Sequence, residues 1–363
     1  YSKDGNEMRN GGNGMKFGIK IENELKSKSK NGNNEKYEWK IMDLNNGIYE
    51  IKMKLKEEGK YLIFIEYDGI NINSSPLEIE VFSKLKQRNY NEINGPKLMF
   101  GSKGIENGQL NRPYGITTDS KRNILVTDFE NDRIQIFNSK GRFLSTFGSK
   151  GNGNGQLKGP SGITINSIGN ILVCDRGNCR IQVFDPEGNF ISKFGSEGNG
   201  NGQLCHGDGI CVDCNDNIYV CDYYNNRIQI FNSQGNFILK FGSYGNQNGQ
   251  FNFPYGIAIN SKGNIIVSDQ NIVRIQIFNS KGKFISSFGS FGIGNGQFNG
   301  LYGICVDYND NIYVCDYYNN RIQIFNPEGK YITQFKVENP KGITINPNTQ
   351  NIIVCGDDKI SIF

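Results

Sequence analysis

Short apolar stretches of four or five residues recur through the last three quarters of the chain, each bounded by glycine, asparagine or aspartate. One set occupies residues 209–212, 217–221, 227–231 and 237–241. Their alternating or β-branched patterning predicts strands rather than helices. The set is a repeat. Gly115-Ile116, Gly162-Ile163, Gly209-Ile210, Gly256-Ile257 and Gly303-Ile304 are spaced by 47 residues, and Gly342-Ile343 follows after 39. A Val-small-Asp marker ends in Asp128, Asp175, Asp222, Asp269 and Asp316, and five residues beyond each aspartate stands Arg133, Arg180, Arg227, Arg274 or Arg321. Four strands in each unit of 40–50 residues is the pattern of one β-propeller blade.

The blade count follows from the two ends of this region. The last unit supplies strands at 342–345, 351–355 and 359–363 and then the chain stops. An orphan strand, 97–100, precedes the first unit and ends in the same Phe-Gly pair. It is expected to complete the last blade, giving six blades in a closed ring without an exposed sheet edge. Residues 1–83 differ in texture. Lysine and glutamate alternate there with apolar residues, as in 48–55 and 61–67, which predicts the half-exposed strands of a sandwich. Earlier strands are expected at 15–21 and 37–42. Residues 84–95 are polar and read as a linker.

The repeated Pro-Tyr-Gly-Ile, Asn-Ile-Tyr-Val-x-Asp, Asn-x-Arg-Ile-Gln-Ile-Phe and Phe-Gly-x-x-Gly segments resemble the NHL repeat over about residues 96–363. The departures are local: Gly207 and Leu301 stand where other units have proline, and Gly356 replaces the aspartate in the last unit, whose following turn is two residues shorter. Gly47-Ile48-Tyr49, Gly59-Lys60-Tyr61 and Ser75-Pro76-Leu77 resemble the second half of a filamin-type immunoglobulin-like repeat, whereas 23–34 matches it poorly. The fold expected is therefore all-β: a filamin-type sandwich over 1–83 and a six-bladed NHL propeller over 96–363. This order is similar to the C-terminal half of tripartite-motif (TRIM) NHL proteins. The resemblance implies an upstream RING, B-boxes and coiled coil, with their zinc and their oligomerisation, outside this sequence. The chain begins at Tyr1 without methionine and reads as a fragment.

Composition narrows the chemistry. With 46 glycines and 9 prolines, tight turns are expected rather than disorder. His206 is the single histidine, which excludes a multi-histidine metal centre such as the one lyases built on NHL propellers use. No catalytic site and no cofactor are expected in this chain. Of the nine cysteines, Cys174, Cys221, Cys315 and Cys355 share one repeat position with Thr127 and Ser268, so they read as reduced core thiols. The Cys211-x-x-Cys214 pair has no second copy to make a zinc site. Unpaired buried thiols favour a reducing compartment, and a cytoplasmic location is expected. No run of 18 apolar residues or signal-peptide core is present, so no membrane association is expected. The recurring Asp/Arg pairs read as structural clamps, because identical residues in every unit usually hold the unit together.

The candidate site is one end of the ring, where inter-blade loops and second-to-third-strand turns should open together. The loops bring Arg112, Tyr114, Lys158, Phe253, Tyr255, Tyr302 and Lys341, with His206 beside them; the turns bring Phe129, Arg176, Tyr223, Tyr224, Tyr317 and Tyr318. Tyrosine with scattered arginine and lysine suits protein hot spots and equally the stacking of single-stranded bases. The propeller carries 24 basic and 21 acidic residues, a smaller excess than strong nonspecific nucleic-acid binding normally shows. The expected function is recognition of a protein substrate as the target-binding half of a TRIM-NHL-like ubiquitin ligase. Binding of single-stranded or hairpin RNA in translational repression is the alternative. A cytoskeletal or scaffold adaptor acting through the filamin-type domain is a third.

Overall fold

A computed structural model describes the chain from Gly95 onward, together with Tyr90, Ile93 and the backbones of six earlier strands. Two compact units divide at Asn89/Tyr90. In the first, Gly59–Tyr67 pairs antiparallel with Phe17–Asn23, Ile70–Asn71 and Leu77–Val81, while Tyr37–Asp43 and Tyr49–Leu55 form a hairpin. The strands expected at 15–21 and 37–42 correspond to Phe17–Asn23 and Tyr37–Asp43. The poorly matching 24–34 lies outside the described residues, as does nearly all of 84–94. Tyr90 and Ile93, at the start of the second unit, pack against the core between the last two blades.

The second unit is the six-bladed propeller, each blade a four-stranded antiparallel meander. Blade three, for example, runs Gly207–Val212, Ile218–Asp222, Arg227–Phe231 and Phe237–Phe241 from the axis outward. Blade six combines Pro340–Ile345, Ile352–Gly356 and Lys359–Ile362 with Leu98–Phe100 from the other end of the unit. The closing register is Ile360↔Phe100, Ser361↔Met99 and Ile362↔Leu98. Tandem sequence thus becomes a circle, and apolar cores form between each pair of neighbouring blades.

The Gly-Ile marker has a packing cause. A Cβ on any of the six inner-strand glycines would stand 2.2–2.6 Å from a backbone carbonyl oxygen of the next blade. Gly115 meets Ser161, Gly162 meets Asp208, and so on to Gly342, which meets Tyr114 and closes the circuit. Inner strands can approach this closely only where the side chain is missing. The small residue of the Val-small-Asp marker bridges the same contact: Thr127 Oγ1 donates to Ser161 O at 2.8 Å and Ser268 Oγ to Tyr302 O at 2.8 Å.

The Asp/Arg pairs are buried clamps. In blade three the Asp222 carboxylate accepts from Arg227 Nε (2.7 Å), Gln229 Nε2 (3.0 Å), Asn225 Nδ2 (3.0 Å) and the Cys205 backbone N–H (2.7 Å). Arg227 donates onward to the carbonyls of Asn199, Gly200 and Gln203. One carboxylate therefore ties the second-to-third-strand turn to the inter-blade loop and seats that loop's apolar anchor, Leu204, between the blades. The same Asp–Arg contact is 2.6–3.0 Å in the other four blades that have it.

Candidate functional site: an aromatic rim around the propeller axis

The nine aromatic residues picked out on the loops and turns form one contiguous network. Ring centroids step from Phe129 to Tyr114 (4.6 Å), across to Tyr255 (6.2 Å), then Tyr302 (4.9 Å), Tyr317 (4.9 Å) and Tyr318 (4.9 Å). A branch leaves Tyr255 for Tyr223 (6.2 Å), which stacks on Phe253 (4.7 Å, 10° between planes) and meets Tyr224 edge-on (5.0 Å). Offset and edge-to-face arrangements are the favoured ones for aromatic pairs. Burial pushes the Tyr223 and Tyr317 phenols up to about 12 and raises Tyr255 and Tyr302 as well, so all four hydroxyls stay neutral. Tyr224 and Tyr318 are the outward members, 47% and 63% exposed.

The cations separate into two groups. Arg112 and Lys158 are exposed. Arg112 pairs with Glu130 at 2.8 Å and lies over the Tyr114 and Phe129 rings at 5.9 and 5.8 Å. Arg176 lies over Phe129 and Tyr223 at 6.0 and 5.7 Å. Lys341 is only 3% exposed; its Nζ donates to Asp357 at 3.2 Å and sits over Tyr114 and Tyr317, inside the rim rather than on it. His206 is half-buried, edge-on to Tyr224 at 4.8 Å, and burial followed by the Arg176 charge lowers its pKa.

The residue before each inner glycine faces the axis: Tyr114, Ser161, Asp208, Tyr255, Tyr302 and Lys341. Five of them, all but Tyr302, line with the Gly-Ile pairs a cavity of about 90 Å³. Asp208 and Ser161 are not among the site residues that the sequence singled out. Their shared repeat position was the signal available. Asp208 is 2% exposed, and its Oδ1 lies 2.9 Å from Arg176 Nε without an aligned hydrogen bond. Burial outweighs that attraction and raises its pKa to about 6. A carboxyl raised from 3.8 to about 6 contributes stability that is complete below pH 4 and lost as pH rises through 6, up to about 3 kcal/mol. Urea unfolding from pH 4 to 7 should therefore lose more stability in the natural chain than in Asp208→Asn. Asp269, also raised to about 6 by burial, is common to both proteins. Parallel pH profiles would contradict this assignment.

The core thiols Cys174, Cys221, Cys315 and Cys355 are buried, and burial raises all four, Cys355 to about 12. Cys211 and Cys305 are half-buried and Cys214 is exposed. Among the described residues no three His, Cys, Asp or Glu side chains gather to hold a metal ion, and no helix is long and apolar enough to cross a membrane.

A closed ring of short meanders with an aromatic mouth defines a six-bladed β-propeller, and its units match a known repeat. Residues 110–137, 157–184, 204–231 and 298–325 match the NHL repeat, and residues 3–78 match the Filamin/ABP280 repeat. The chain carries NHL repeats behind a filamin repeat and is homologous to TRIM-NHL proteins. It is 37% identical over 102 residues to Protein lin-41 of Caenorhabditis elegans, a stretch covering 28% of this chain and 9% of that protein. It is 36% identical over 103 residues to the E3 ubiquitin-protein ligase TRIM71 of Bos taurus, covering 28% of this chain and 12% of that one. Among solved structures, a streptogramin B lyase superimposes with TM-score 0.54 at 16% identity, covering 73% of this chain and 96% of the lyase. A gluconolactonase from Xanthomonas campestris gives 0.56 at 12% identity, covering 74% and 95%. These two share the fold alone.

Proposed function

We propose that this chain is the target-recognition half of a TRIM-NHL-type ubiquitin ligase, holding a protein substrate on the aromatic rim. The carrying observation is the continuity of the nine rings, which gives a rigid amphipathic platform with the Tyr224 and Tyr318 side chains turned outward. Rigid aromatics lose little side-chain entropy on binding and dominate protein hot spots. Ubiquitin transfer would belong to upstream domains, and a bound target would gain rate by proximity. Raised, protonated core thiols support a reducing compartment such as the cytoplasm.

Arg112 and Arg176, each within about 6 Å of rim rings, support RNA as a second reading, since stacked bases and phosphates use the same pairing. The test uses the full chain with Tyr224→Ala and Tyr318→Ala together. These two outward tyrosines are the choice because Tyr255 and Tyr302 pack across the ring mouth, where truncation would also disturb folding. Capture of partner proteins should fall at least tenfold with the melting temperature unchanged, while Ile238→Glu on an outer strand leaves capture intact. Undiminished capture by the double variant would sink the proposal. Tight binding of short single-stranded RNA with steep salt dependence, lost in the same variant, would transfer the rim to RNA.

A further inference from the structure

The last inter-blade connection is eight residues shorter than the others, and the missing piece leaves a groove. In blades one to five, Leu110, Leu157, Leu204, Phe251 and Phe298 end the loop three residues before the inner strand and are fully buried between neighbouring blades. Each of these anchors stands ten positions after the preceding Phe-Gly phenylalanine; Val337 stands only two after Phe335. Val337 takes the anchor position with a smaller side chain.

The clamp that holds the loop has gone with it. Gly356, Lys359 and Ser361 stand at the positions of the aspartate, arginine and glutamine that bind the loop in the other blades. All three line a cavity of about 360 Å³ between blades five and six, floored by Val337, Val354 and Phe363. That volume lies within the range of about 300–1,000 Å³ typical of ligand pockets. Met99 adds an independent mark. The outer-strand residue paired with the clamp glutamine is Thr146, Lys193, Lys240, Ser287 or Gln334 in five blades; in blade six it is Met99, 50% exposed at the groove. At this register position an apolar residue stands only in blade six, where the loop is missing.

We propose that this groove binds an extended peptide segment of a partner protein, which inserts one leucine or phenylalanine beside Val337, in the space that this smaller anchor leaves open. The five sibling loops show what fills this space in the same fold: a glycine-rich approach, a glutamine and a buried Leu or Phe. The groove's polar mouth, Lys359, Asp357 and Asp358, suits the main chain beside such an anchor. Asp357 also bonds Lys341 and Tyr317, so the mouth adjoins the aromatic rim, and one partner can span both.

The test is fluorescence anisotropy of the full chain with a labelled peptide copying residues 150–158. Saturable binding is expected, falling at least tenfold when the peptide carries Leu157→Asp. The same loss is expected in protein with Met99→Glu, a surface change that leaves folding intact, and with Val337→Phe, which fills the anchor position. Ile191→Glu, on the outer strand of blade two, should leave binding unchanged. No saturable binding to the natural chain, or binding indifferent to Met99→Glu and Val337→Phe, would overturn the proposal. Loss of rim binding alone would leave this peptide titration unaffected.

Discussion

Deleting Lys97–Gly101 is expected to lower the stability of the propeller by about 5 kcal/mol and its melting temperature by roughly 10 °C. The segment is short, but it closes the ring. Without Leu98–Phe100, blade six loses its outer strand and the pairing to Lys359–Ile362. Phe100, 5.1 Å from Phe137, also leaves the core between blades six and one, where Leu98 packs beside it. Truncating a fully buried phenylalanine commonly costs about 3–5 kcal/mol; Phe100 is half-buried, and the loss of Leu98 and of the strand pairing adds to its share. Chemical unfolding monitored by the intrinsic fluorescence of the propeller tyrosines would measure the change. A deletion mutant that unfolds at the same denaturant concentration would mean that the termini do not share a blade.

Asp222→Ala should cost about 3–5 kcal/mol, because it leaves the buried Arg227 guanidinium without its counter-charge. The loss would exceed that from a surface ion pair such as Arg112–Glu130, where about 0–1 kcal/mol is usual. Removing both partners in Asp222→Ala with Arg227→Ala should cost less than the sum of the single changes, since no charge is then stranded. Thermal unfolding of the four proteins tests this. Additive losses would show that Asp222 acts through its other hydrogen bonds and not through the pair. Blade six is the natural comparison: it dispenses with aspartate, arginine and inter-blade loop together.

The ring was legible in the sequence because each blade repeats the same physical problem. Glycine recurs where inner strands touch, the small hydroxyl or thiol residue where one blade reaches the next, and Asp with Arg where a loop must be seated. The Phe-Gly ending of 97–100 revealed the closing strand for the same reason. The candidate site was legible less completely. Repeat position placed the nine aromatic residues on one end, but not their contacts, because alignment of units carries no distance across the axis between Tyr114 and Tyr255. Lys341 stands among the loop residues by sequence, and its burial, like that of Asp208, follows from facing the narrow axial cavity beneath the rim. The shortened step to Gly342 was visible in the sequence. The groove it leaves was not, since that depends on Val337, Met99 and Ser361 meeting from three separate segments.

The most direct test of the aromatic rim as the binding face is a hydroxyl-radical footprint of the full chain, free and bound to a captured partner protein. Protection concentrated on Tyr224, Tyr318 and Phe129, with Leu144, Ile191 and Ile238 on the outer strands labelled equally in both states, is the predicted result. Protection of the outer strands with an unprotected rim would contradict it.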